Sequence, residues 1–384
     1  MMLPELLRDL EQGRWVVLDA ASTSPPAHLL PEGPGVVVSS GGSSGGRRLC
    51  LQPLVNLDRS AAATAQWLRA CGLDPAAALL VNPLPGHHVS GLLPWWRARC
   101  WGSQHERLEP RLMKTPEALL AASRSWPTGP RLLSLVPTQL KRLLDHPSGL
   151  HWLQGFDLIW VGGAALPGDL AERARDGGVP LAPCYGSTET AAMVAALPPQ
   201  RFLAGESGCG DALPDVDWRL ASDGGLELRT PRLALGCWQP EQPDRLQRLT
   251  DAAGWWRSGD RARLRPGLQI LGGLDTAMHS GGETVFPEQL EQRLQAAARA
   301  AGLAVDAVLL LGVPDPEWGE RLVALVRLED AGLLEALQRL TQGWPPAERP
   351  RRWLLCPELA PTEAGKWQRQ HWLRWLERLD AAEA

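Results

Sequence analysis

The sequence predicts an α/β protein with a large N-terminal domain of mainly parallel sheets flanked by helices, followed by a small α+β C-terminal domain. Two observations predict this fold class. Between residues 131 and 197, apolar segments with strand character alternate with amphipathic segments with helical character, which is the pattern of crossover units in a parallel sheet. After Asp275 the pattern changes, and the remaining residues, about 110, are enough to fold alone. We therefore predict domains at 1–274 and 275–384.

The alternating segments are assigned in chain order. Residues 132–136 predict a strand, and a helix begins near Pro137. Residues 156–167 predict a strand that ends in a glycine-rich turn, and residues 167–178 predict a helix that stops at two glycines. Residues 179–197, VPLAPCYGSTETAAMVAAL, predict a third unit of strand, polar loop and helix. Ligands of parallel sheets bind beyond the carboxyl ends of the strands, so both polar loops are candidate binding loops.

The remaining pattern differs on either side of the predicted boundary. From about Leu226, short strands and turns are predicted. After Asp275 we predict a helix, two strands, a helix, a strand and an amphipathic helix, over PEQLEQRLQAAARAAG, VDAVLLLGVP, RLVALVRLE, LLEALQRLTQGW, PRRWLLC and QRQHWLRWLERL. This order is typical of a small α+β domain.

Composition excludes several classes of protein. The 384 residues carry a net charge of −4, so no basic field is expected for nucleic acid. No apolar run reaches the roughly 18 residues of a membrane span, and no secretory signal is evident at the N-terminus. The seven cysteines, at 50, 71, 100, 184, 209, 237 and 356, include no C-x-x-C pair, which argues against a zinc cluster or a disulfide framework. A cytoplasmic protein is expected.

A glycine- and serine-rich segment follows the apolar run at residues 35–38. Its glycines, hydroxyls and arginines suit phosphate, because backbone N–H groups can converge there. A flexible linker or hairpin tip is the alternative. A P-loop is a second alternative, but Arg47 and Arg48 stand where lysine and a hydroxyl residue would be needed.

A second polar constellation spans Tyr185 to Thr190. Between a predicted strand and a predicted helix, it would lie where a helix N-terminus favours an anion. Glu189 is a hard oxygen ligand suited to Mg²⁺, Thr188 can donate to phosphate, and Tyr185 can stack on a purine. The alternative is an ordinary helix cap with an acid in the first turn.

Three weaker signals follow along the chain. Asp260 follows Gly259 in a predicted turn, and such a carboxylate can accept hydrogen bonds from ribose hydroxyls. Glycines cluster at residues 271–275 and 280–283, where they could form a hinge. Lys366 is one of three lysines among 39 basic residues, although a surface charge beside a helix is the alternative.

In their order and spacing these stretches resemble the superfamily of acyl-CoA synthetases, luciferases and peptide-synthetase adenylation domains. The resemblance runs from Ser40 to Lys366 and so covers most of the chain. It implies activation of a carboxylic acid with ATP and Mg²⁺, transfer of the acyl group to CoA, and a C-terminal domain that moves as a lid.

The resemblance also implies roles for individual residues. The loop over the ATP phosphates would be formed by Ser40, Gly41, Gly42, Ser43, Ser44, Gly45 and Arg48. The adenine site would be formed by Gly163, Ala164, Ala165, Tyr185 and Gly186. Thr188 and Glu189 would contact phosphate and magnesium, and Asp260 would bind ribose. Lys366 would bridge the substrate carboxylate and the α-phosphate. Asp275 would be the hinge, and Gly281 and Gly282 would line the CoA channel.

Within this superfamily, the chain resembles the 2-succinylbenzoate–CoA ligases of menaquinone and phylloquinone biosynthesis, especially the short cyanobacterial type. The segments that carry this resemblance are PGHHVSG at 85–91, LVPTQL at 135–140, residues 185–194, FLAG at 202–205, SGGE at 280–283 and Phe286-Pro287. It implies an acyl pocket that includes His88, Ser90 and Gly162.

Three departures from the superfamily's pattern leave other activities open. The phosphate loop begins at residue 40, so an N-terminally shortened first domain is expected. Gly273 replaces an arginine usually found before the hinge, and Gly46 and Arg47 replace a lysine and a proline of the loop. The alternatives are a ligase for another aryl or short acyl acid, a non-catalytic nucleotide-binding relic, or adenylation for a carrier protein. No carrier domain is recognised in the chain.

Overall fold

A computed structural model describes residues 3–18, 24–40, 48–362 and 367–383. Its helices are α1 (Leu3–Glu11), α2 (Leu54–Ala70), α3 (Val89–Trp101), α4 (Pro116–Ala122), α5 (Pro137–Leu144), α6 (Pro147–Leu153), α7 (Gly168–Asp176), α8 (Pro199–Leu203), α9 (Pro287–Ala300), α10 (Leu334–Arg339) and α11 (Arg369–Glu383). Within the described ranges, none of these helices is long and apolar enough to cross a membrane.

Most strands precede residue 274. They are β1 (Trp15–Val17), β2 (Gly35–Ser40), β3 (Arg48–Pro53), β4 (Leu79–Asn82), β5 (Gln104–Arg107), β6 (Arg131–Leu135), β7 (Leu158–Val161), β8 (Leu181–Ser187), β9 (Ala192–Ala196), β10 (Asp211–Ala212), β11 (Asp217–Leu220), β12 (Gly225–Arg229), β13 (Cys237–Trp238), β14 (Leu246–Gln247), β15 (Trp256–Arg263) and β16 (Gln269–Gly273). The remaining strands are β17 (Met278–Ser280), β18 (Glu283–Val285), β19 (Ala307–Asp315), β20 (Gly319–Arg327) and β21 (Arg352–Leu355).

The central sheet has the strand order β10-β9-β8-β7-β6-β4-β5. The five strands from β8 to β5 pair in parallel, which confirms the predicted crossover units. Alternate side chains enter two separate cores: Leu132 and Leu158 pack on one face, and Leu133 and Ile159 on the other. A sheet covered on both faces requires continuous apolar runs, and this explains the apolar strands seen in the sequence.

Helix α5 begins at Pro137, as predicted, whereas α3 was not predicted from the sequence. α5 begins with Pro137 at its first position, where the missing N–H costs nothing. The side chain of Gln139 accepts a hydrogen bond of 3.2 Å from the N–H of Val136 and so closes the first turn. α3 ends at Gly102, whose φ of 68° is left-handed, as is common after a helix.

The helix predicted after Thr190 is wrong. Residues 192–196 form β9, which pairs antiparallel with β8, and β9 pairs antiparallel with β10. The run AAMVAAL is short and almost wholly buried, and such a run fits a buried strand as well as a helix. The polar segment 185–190 therefore precedes a strand, and the expected help from a helix N-terminus is absent.

The glycine-rich segment 41–47 lies outside the described residues, but the strands on either side of it are described. β2 and β3 pair antiparallel, with Ser40 opposite Arg48. They belong to a sheet in the order β1-β2-β3-β13-β14. The segment thus joins two neighbouring strands, which disfavours an interdomain linker. It also leads into a strand, whereas a P-loop leads into a helix.

The chain divides into two compact units. The first comprises Met1–Leu166, Leu170–Ser258 and Arg263–Gln269, and the second Pro167–Asp169, Gly259–Ala262 and Ile270–Ala384. A further sheet, in the order β11-β12-β15-β16, contains the short strands expected from Leu226 onward.

From α9 onward the second unit has the predicted order of helices and strands, but the strands β17 and β18 before α9 were not predicted. Its sheet runs β18-β17-β20-β19, with β21 pairing in parallel with β20. Leu310 and Ala324 pack in one core beside Leu294 of α9, and Leu309 and Leu325 in another. Trp372 and Leu376 of α11 belong to the second of these cores. The predicted helices α9 and α11 therefore each bury one apolar face in these cores.

Candidate functional site

The carboxyl ends of three parallel strands, β4, β7 and β8, bring candidate residues of the first unit to one edge of the central sheet. The register places Leu135 of β6 opposite Val161 of β7, and Val161 opposite Pro183 of β8. The candidate residues beyond these ends are His88 and Ser90 after β4, Gly162, Gly163, Ala164 and Ala165 after β7, and Tyr185 to Glu189 at the end of β8. His88 and Ser90 are exposed, and Tyr185 is half-buried.

The turn between β8 and β9 carries Thr188 and Glu189. It is a strained turn, because Ala191 and Ala192 have φ values of 49° and 80°, which side-chain-bearing residues rarely adopt. Such strain persists only where the surroundings hold it. What holds this turn is therefore part of the site.

Buried side chains from distant segments bind the carbonyl groups of this turn. The amide of Gln52 donates to the carbonyls of Thr188 at 2.7 Å and Glu189 at 3.2 Å. The hydroxyl of Ser60 donates to the carbonyl of Ala191 at 2.6 Å. Every one of these bonds is buried, so the turn is fixed against β3 and α2.

Arg232 completes this arrangement. Its guanidinium is fully buried, donates to the carbonyl of Thr190 at 2.7 Å and pairs with Asp215 at 2.7 Å. Gln52, Ser60 and Arg232 were not identified from the sequence. The available signal was a polar or charged side chain within apolar surroundings, but its partner in the turn lies more than 40 residues away in each case.

Glu189 lies beside the two ends of the glycine-rich segment. Its carboxylate is buried, and Oε1 is 3.6 Å from a guanidinium nitrogen of Arg48. The hydroxyl of Thr188 donates to the carbonyl of Ser39 at 3.3 Å. A buried carboxylate with one distant cation offers hard oxygen ligands, so this position fits magnesium carried on phosphates. Gly41, Gly42, Ser43, Ser44 and Gly45, the rest of the predicted loop, lie outside the described residues.

Close backbone packing is required at Gly186 of the predicted adenine site. A Cβ there would lie 2.2 Å from the carbonyl oxygen of Ala192, and a register shift separates Tyr185 from Gly186 in β8. Gly163 has a φ of 83°, which favours glycine, and a Cβ there would be 3.4 Å from Val136. Close packing at Gly186 and the left-handed backbone at Gly163 therefore explain why both positions are glycine.

A buried arginine lies against Trp160 of the central sheet. Arg97 of α3 is 4% exposed, and its Nε and Nη2 have no hydrogen-bond acceptor among the described residues. Its guanidinium carbon lies 5.5 Å from the ring centroid of Trp160, whose indole N–H also lacks an acceptor there. Burial, then the charge of Arg232, lowers the pKa of Arg97 to about 9.

Cys184 connects Arg97 to the predicted acyl pocket. The charge of Arg97 acts on the thiol of Cys184, whose pKa burial raises to about 12. A Cβ at Gly162 would lie 2.9 Å from the sulfur of Cys184. Gly162 therefore packs against Cys184, on whose thiol the charge of Arg97 acts. Arg97 was missed because an arginine within an apolar helix carries no local motif.

The other predicted residues belong to the second unit. Asp260 lies within strand β15, not in the expected turn, and Gly259 before it has a φ of 84°. Asp275 is exposed. Gly281 and Gly282 lie between β17 and β18 with φ values of 59° and 84°, and a Cβ at Gly281 would meet the ring of Trp318 at 2.6 Å. Lys366 lies outside the described residues.

Comparison with known proteins gives a consistent result. The 2-succinylbenzoate–CoA ligase of Escherichia coli (strain K12) is 33% identical over 298 residues, which cover 77% of this chain and 59% of that protein. The probable 2-succinylbenzoate–CoA ligase of Mycobacterium tuberculosis (strain ATCC 25618 / H37Rv) is 28% identical over 79% of this chain and 74% of that protein. The chain thus spans about three fifths of the length of the E. coli relative.

Solved structures are similar over most of the chain. An arginine-to-lysine variant of E. coli MenE with bound OSB-AMS has 29% identity and a TM-score of 0.67, covering 90% of this chain and 69% of that one. MenE from Bacillus subtilis in complex with the acyl-adenylate intermediate OSB-AMP has 22% identity and a TM-score of 0.73, covering 88% and 68%. The latter supports the fold alone. The chain matches the AMP-binding enzyme family over residues 22–232, more than half of its length, and it belongs to that family.

Proposed function

We propose that this chain is an AMP-forming acid–CoA ligase. It activates a carboxylic acid with ATP to an acyl-adenylate and then transfers the acyl group to CoA. The observation that carries the proposal is the turn between β8 and β9, whose carbonyl groups accept buried hydrogen bonds from Gln52 and Ser60. Buried hydrogen bonds hold this turn beside Ser39 and Arg48, which flank the phosphate-loop segment.

The proposed reaction has two steps. A carboxylate oxygen of the acid attacks the α-phosphorus of ATP, the bond to the bridging oxygen breaks, and pyrophosphate leaves. The CoA sulfur then attacks the carbonyl carbon of the adenylate, AMP leaves, and the thiol proton passes to solvent. Magnesium held by Glu189 would neutralise charge on the ATP phosphates.

The chain's own residues have distinct tasks in this scheme. Thr188 and Arg48 bind phosphate, Tyr185 stacks on adenine, and Asp260 binds ribose. Lys366 stabilises the charge that builds as the two anions meet, more in the transition state than in the ground state. Residues 1–274 form the nucleotide- and acyl-binding domain. Residues 275–384 form a lid that swings about Asp275, removes Lys366 and admits CoA past Gly281 and Gly282.

We further propose 2-succinylbenzoate as the acid, in quinone biosynthesis. This substrate carries two carboxylates, and the one that does not react needs a cation in the pocket. The buried donors of Arg97 and Trp160 lack acceptors among the described residues, and a carboxylate is an acceptor only. A buried charge without a partner is costly, so an anionic ligand group accounts for Arg97. The likeness to the E. coli ligase supports the same substrate.

A set of carboxylic acids tests both the proposed ligase reaction and the proposed substrate. Pyrophosphate release is measured with CoA present, for 2-succinylbenzoate, for the analogue without the ring carboxylate, and for aryl and short acyl acids. We expect turnover of 2-succinylbenzoate and a clear preference for it over the analogue. Turnover of another acid alone would refute the substrate, and no adenylate from any acid would favour a nucleotide-binding relic.

Arginine variants sharpen this test. Arg97→Met should abolish the preference for the diacid, because the ring carboxylate loses its partner. Arg99→Met is the matched control, since Arg99 lies on the same helix but its side chain is 45% exposed. If Arg97→Met and Arg99→Met keep the same preference, Arg97 is not the carboxylate partner.

Free CoA, not a carrier protein, is the proposed acceptor. In the second unit, the guanidinium of Arg321 stacks on Trp318 at 3.6 Å, next to Gly281. Burial and then the charge of Arg351 lower the pKa of Arg321. Arg321, Arg349 and Arg351 would supply positive charge for the phosphates of CoA, partly offset by Asp315 and Glu317. Acyl transfer to CoA but not to a phosphopantetheine protein is expected, and the reverse would refute this acceptor. We also place the enzyme in the cytoplasm.

A further inference from the structure

Two cysteines that the proposed function does not use lie next to the carboxylate of Glu189. Cys50 of β3 and Cys237 of β13 are opposite each other in paired antiparallel strands. Their sulfur atoms are 3.1 Å apart. A carboxylate oxygen of Glu189 and the two sulfur atoms all lie within 4.8 Å of one another, and all three side chains are buried. The three residues are separated by 139 and 48 positions in the chain, so only the fold assembles them.

This set of atoms matches the requirements of a thiophilic divalent cation. Two thiolates and a carboxylate are a ligand set that zinc accepts, and hard cations such as magnesium do not favour sulfur. Thiolates bound at about 2.3 Å to a tetrahedral zinc lie roughly 3.8 Å apart. The two sulfur atoms, now 3.1 Å apart, would need to separate by less than about 1 Å.

We propose that Cys50, Cys237 and Glu189 form a binding site for a zinc-like divalent cation. Binding displaces one proton from each thiol to solvent and forms two metal–sulfur bonds and one metal–oxygen bond. Three protein ligands leave the fourth position of a tetrahedral ion open. The hydroxyl of Ser40 on β2 is buried and lies close enough to Cys50 to act on its thiol.

The site has a regulatory consequence, which rests on the proposed function. A cation bound to the two sulfur atoms holds the carboxylate of Glu189, so the same carboxylate no longer serves magnesium on ATP. Zinc and magnesium–ATP should therefore exclude each other. The binding itself does not depend on any ligase activity.

The test uses the full chain, reduced, desalted and confirmed to have all seven thiols free. Cadmium is added as the probe, and the ultraviolet charge-transfer band from thiolate to cadmium is followed without ATP. We expect a band that saturates at one ion per chain. No band would overturn the proposal, as would a band that persists when both Cys50 and Cys237 are replaced.

Variants separate the site from the other cysteines. Cys50→Ala and Cys237→Ala should abolish the band, and circular dichroism verifies that they fold. Cys100→Ser, at an exposed cysteine, is the control and should retain it. Glu189→Gln keeps both thiols and should weaken cadmium affinity by roughly tenfold or more, since even outer partners of a metal site contribute that much. An unchanged cadmium affinity in Glu189→Gln would show that the carboxylate is not a ligand of the cation.

A competition experiment then tests the consequence. Zinc affinity of the wild-type chain is measured with a chromogenic chelator, with and without magnesium–ATP. A fall in zinc affinity with ATP supports shared use of Glu189, and equal affinities refute it. Because the cadmium band is measured without nucleotide, failure of the ligase proposal would leave that result unaffected.

Discussion

The side-chain amide of Gln52 donates a hydrogen bond of 2.7 Å to the backbone carbonyl of Thr188, a residue 136 positions away. Asn56 donates to the amide oxygen of Gln52 at 2.9 Å and so fixes its orientation. Gln52 lies on β3, the strand that begins at Arg48. One buried amide therefore couples the strand that follows the glycine-rich segment to the turn that carries Glu189.

Replacing Gln52 by alanine should destabilise the protein. The carbonyls of Thr188 and Glu189 and the amide of Asn56 would each lose a buried partner. We expect the free energy of unfolding to fall by about 2–3 kcal/mol, measured by urea denaturation. Gln154→Ala is the control, since its bond to Gly177 is exposed. Equal losses in the two variants would contradict the role of Gln52.

Arg232 should contribute far more than an arginine at the surface. Arg232→Met leaves Asp215 and the carbonyl of Thr190 without their buried partner, and we expect a loss of about 3–5 kcal/mol. Arg229→Met removes an exposed pair with Asp217, worth at most about 1 kcal/mol. Denaturant midpoints of the two variants provide the comparison, and similar midpoints would show that Arg232 is not critical.

Stability should also depend on pH through Glu291 of α9. Glu291 is fully buried, accepts a hydrogen bond from the N–H of Leu310 at 2.7 Å and pairs with Arg369 at 2.9 Å. Burial, opposed by Arg369, raises the pKa of Glu291 to about 7. Between pH 4.5 and 7, Glu291 is therefore protonated in the folded state and ionised in the unfolded state. The contribution of Glu291 to the free energy of unfolding falls as the pH rises through that interval.

Glu291→Gln isolates this effect. The wild type should lose stability on the order of 2–3 kcal/mol relative to the variant between pH 5 and pH 7.5. Urea denaturation at both pH values measures the difference. Parallel pH dependences would indicate that Glu291 ionises in the folded protein as it does in the unfolded chain.

Lys366→Ala tests the proposed division between the half-reactions. We expect adenylation to slow by orders of magnitude, while thioester formation from preformed adenylate is spared. Single-turnover rates of the two steps provide the measurement. Lys141→Ala is the control, because Lys141 is exposed and pairs with Asp145. An equal loss in both steps would rule out the proposed role of Lys366.

Asp275→Pro tests the hinge. A fixed φ at this position should trap one orientation of the lid and slow CoA transfer more than adenylation. The same single-turnover rates report the outcome. If both steps are slowed equally, Asp275 is not the pivot between them.

The sequence by itself determined the features that depend on local patterns. Apolar runs such as 158–161, buried on both faces, identified the parallel strands, and periodicity identified the helices α9 and α11. Glycines and polar residues at strand ends identified the sheet edge where Thr188 and Glu189 lie.

Only the tertiary structure decided what depends on distant partners. It replaced the predicted helix at 192–196 by β9, since sheet pairing overrides the helical preference of alanine in a short buried run. It brought Gln52 and Arg232 to the turn, left Nε and Nη2 of Arg97 without an acceptor among the described residues, and placed Cys50 against Cys237. A single side chain has no periodicity, so its partner is set by which strands pair, and this is decided by packing over the whole sheet.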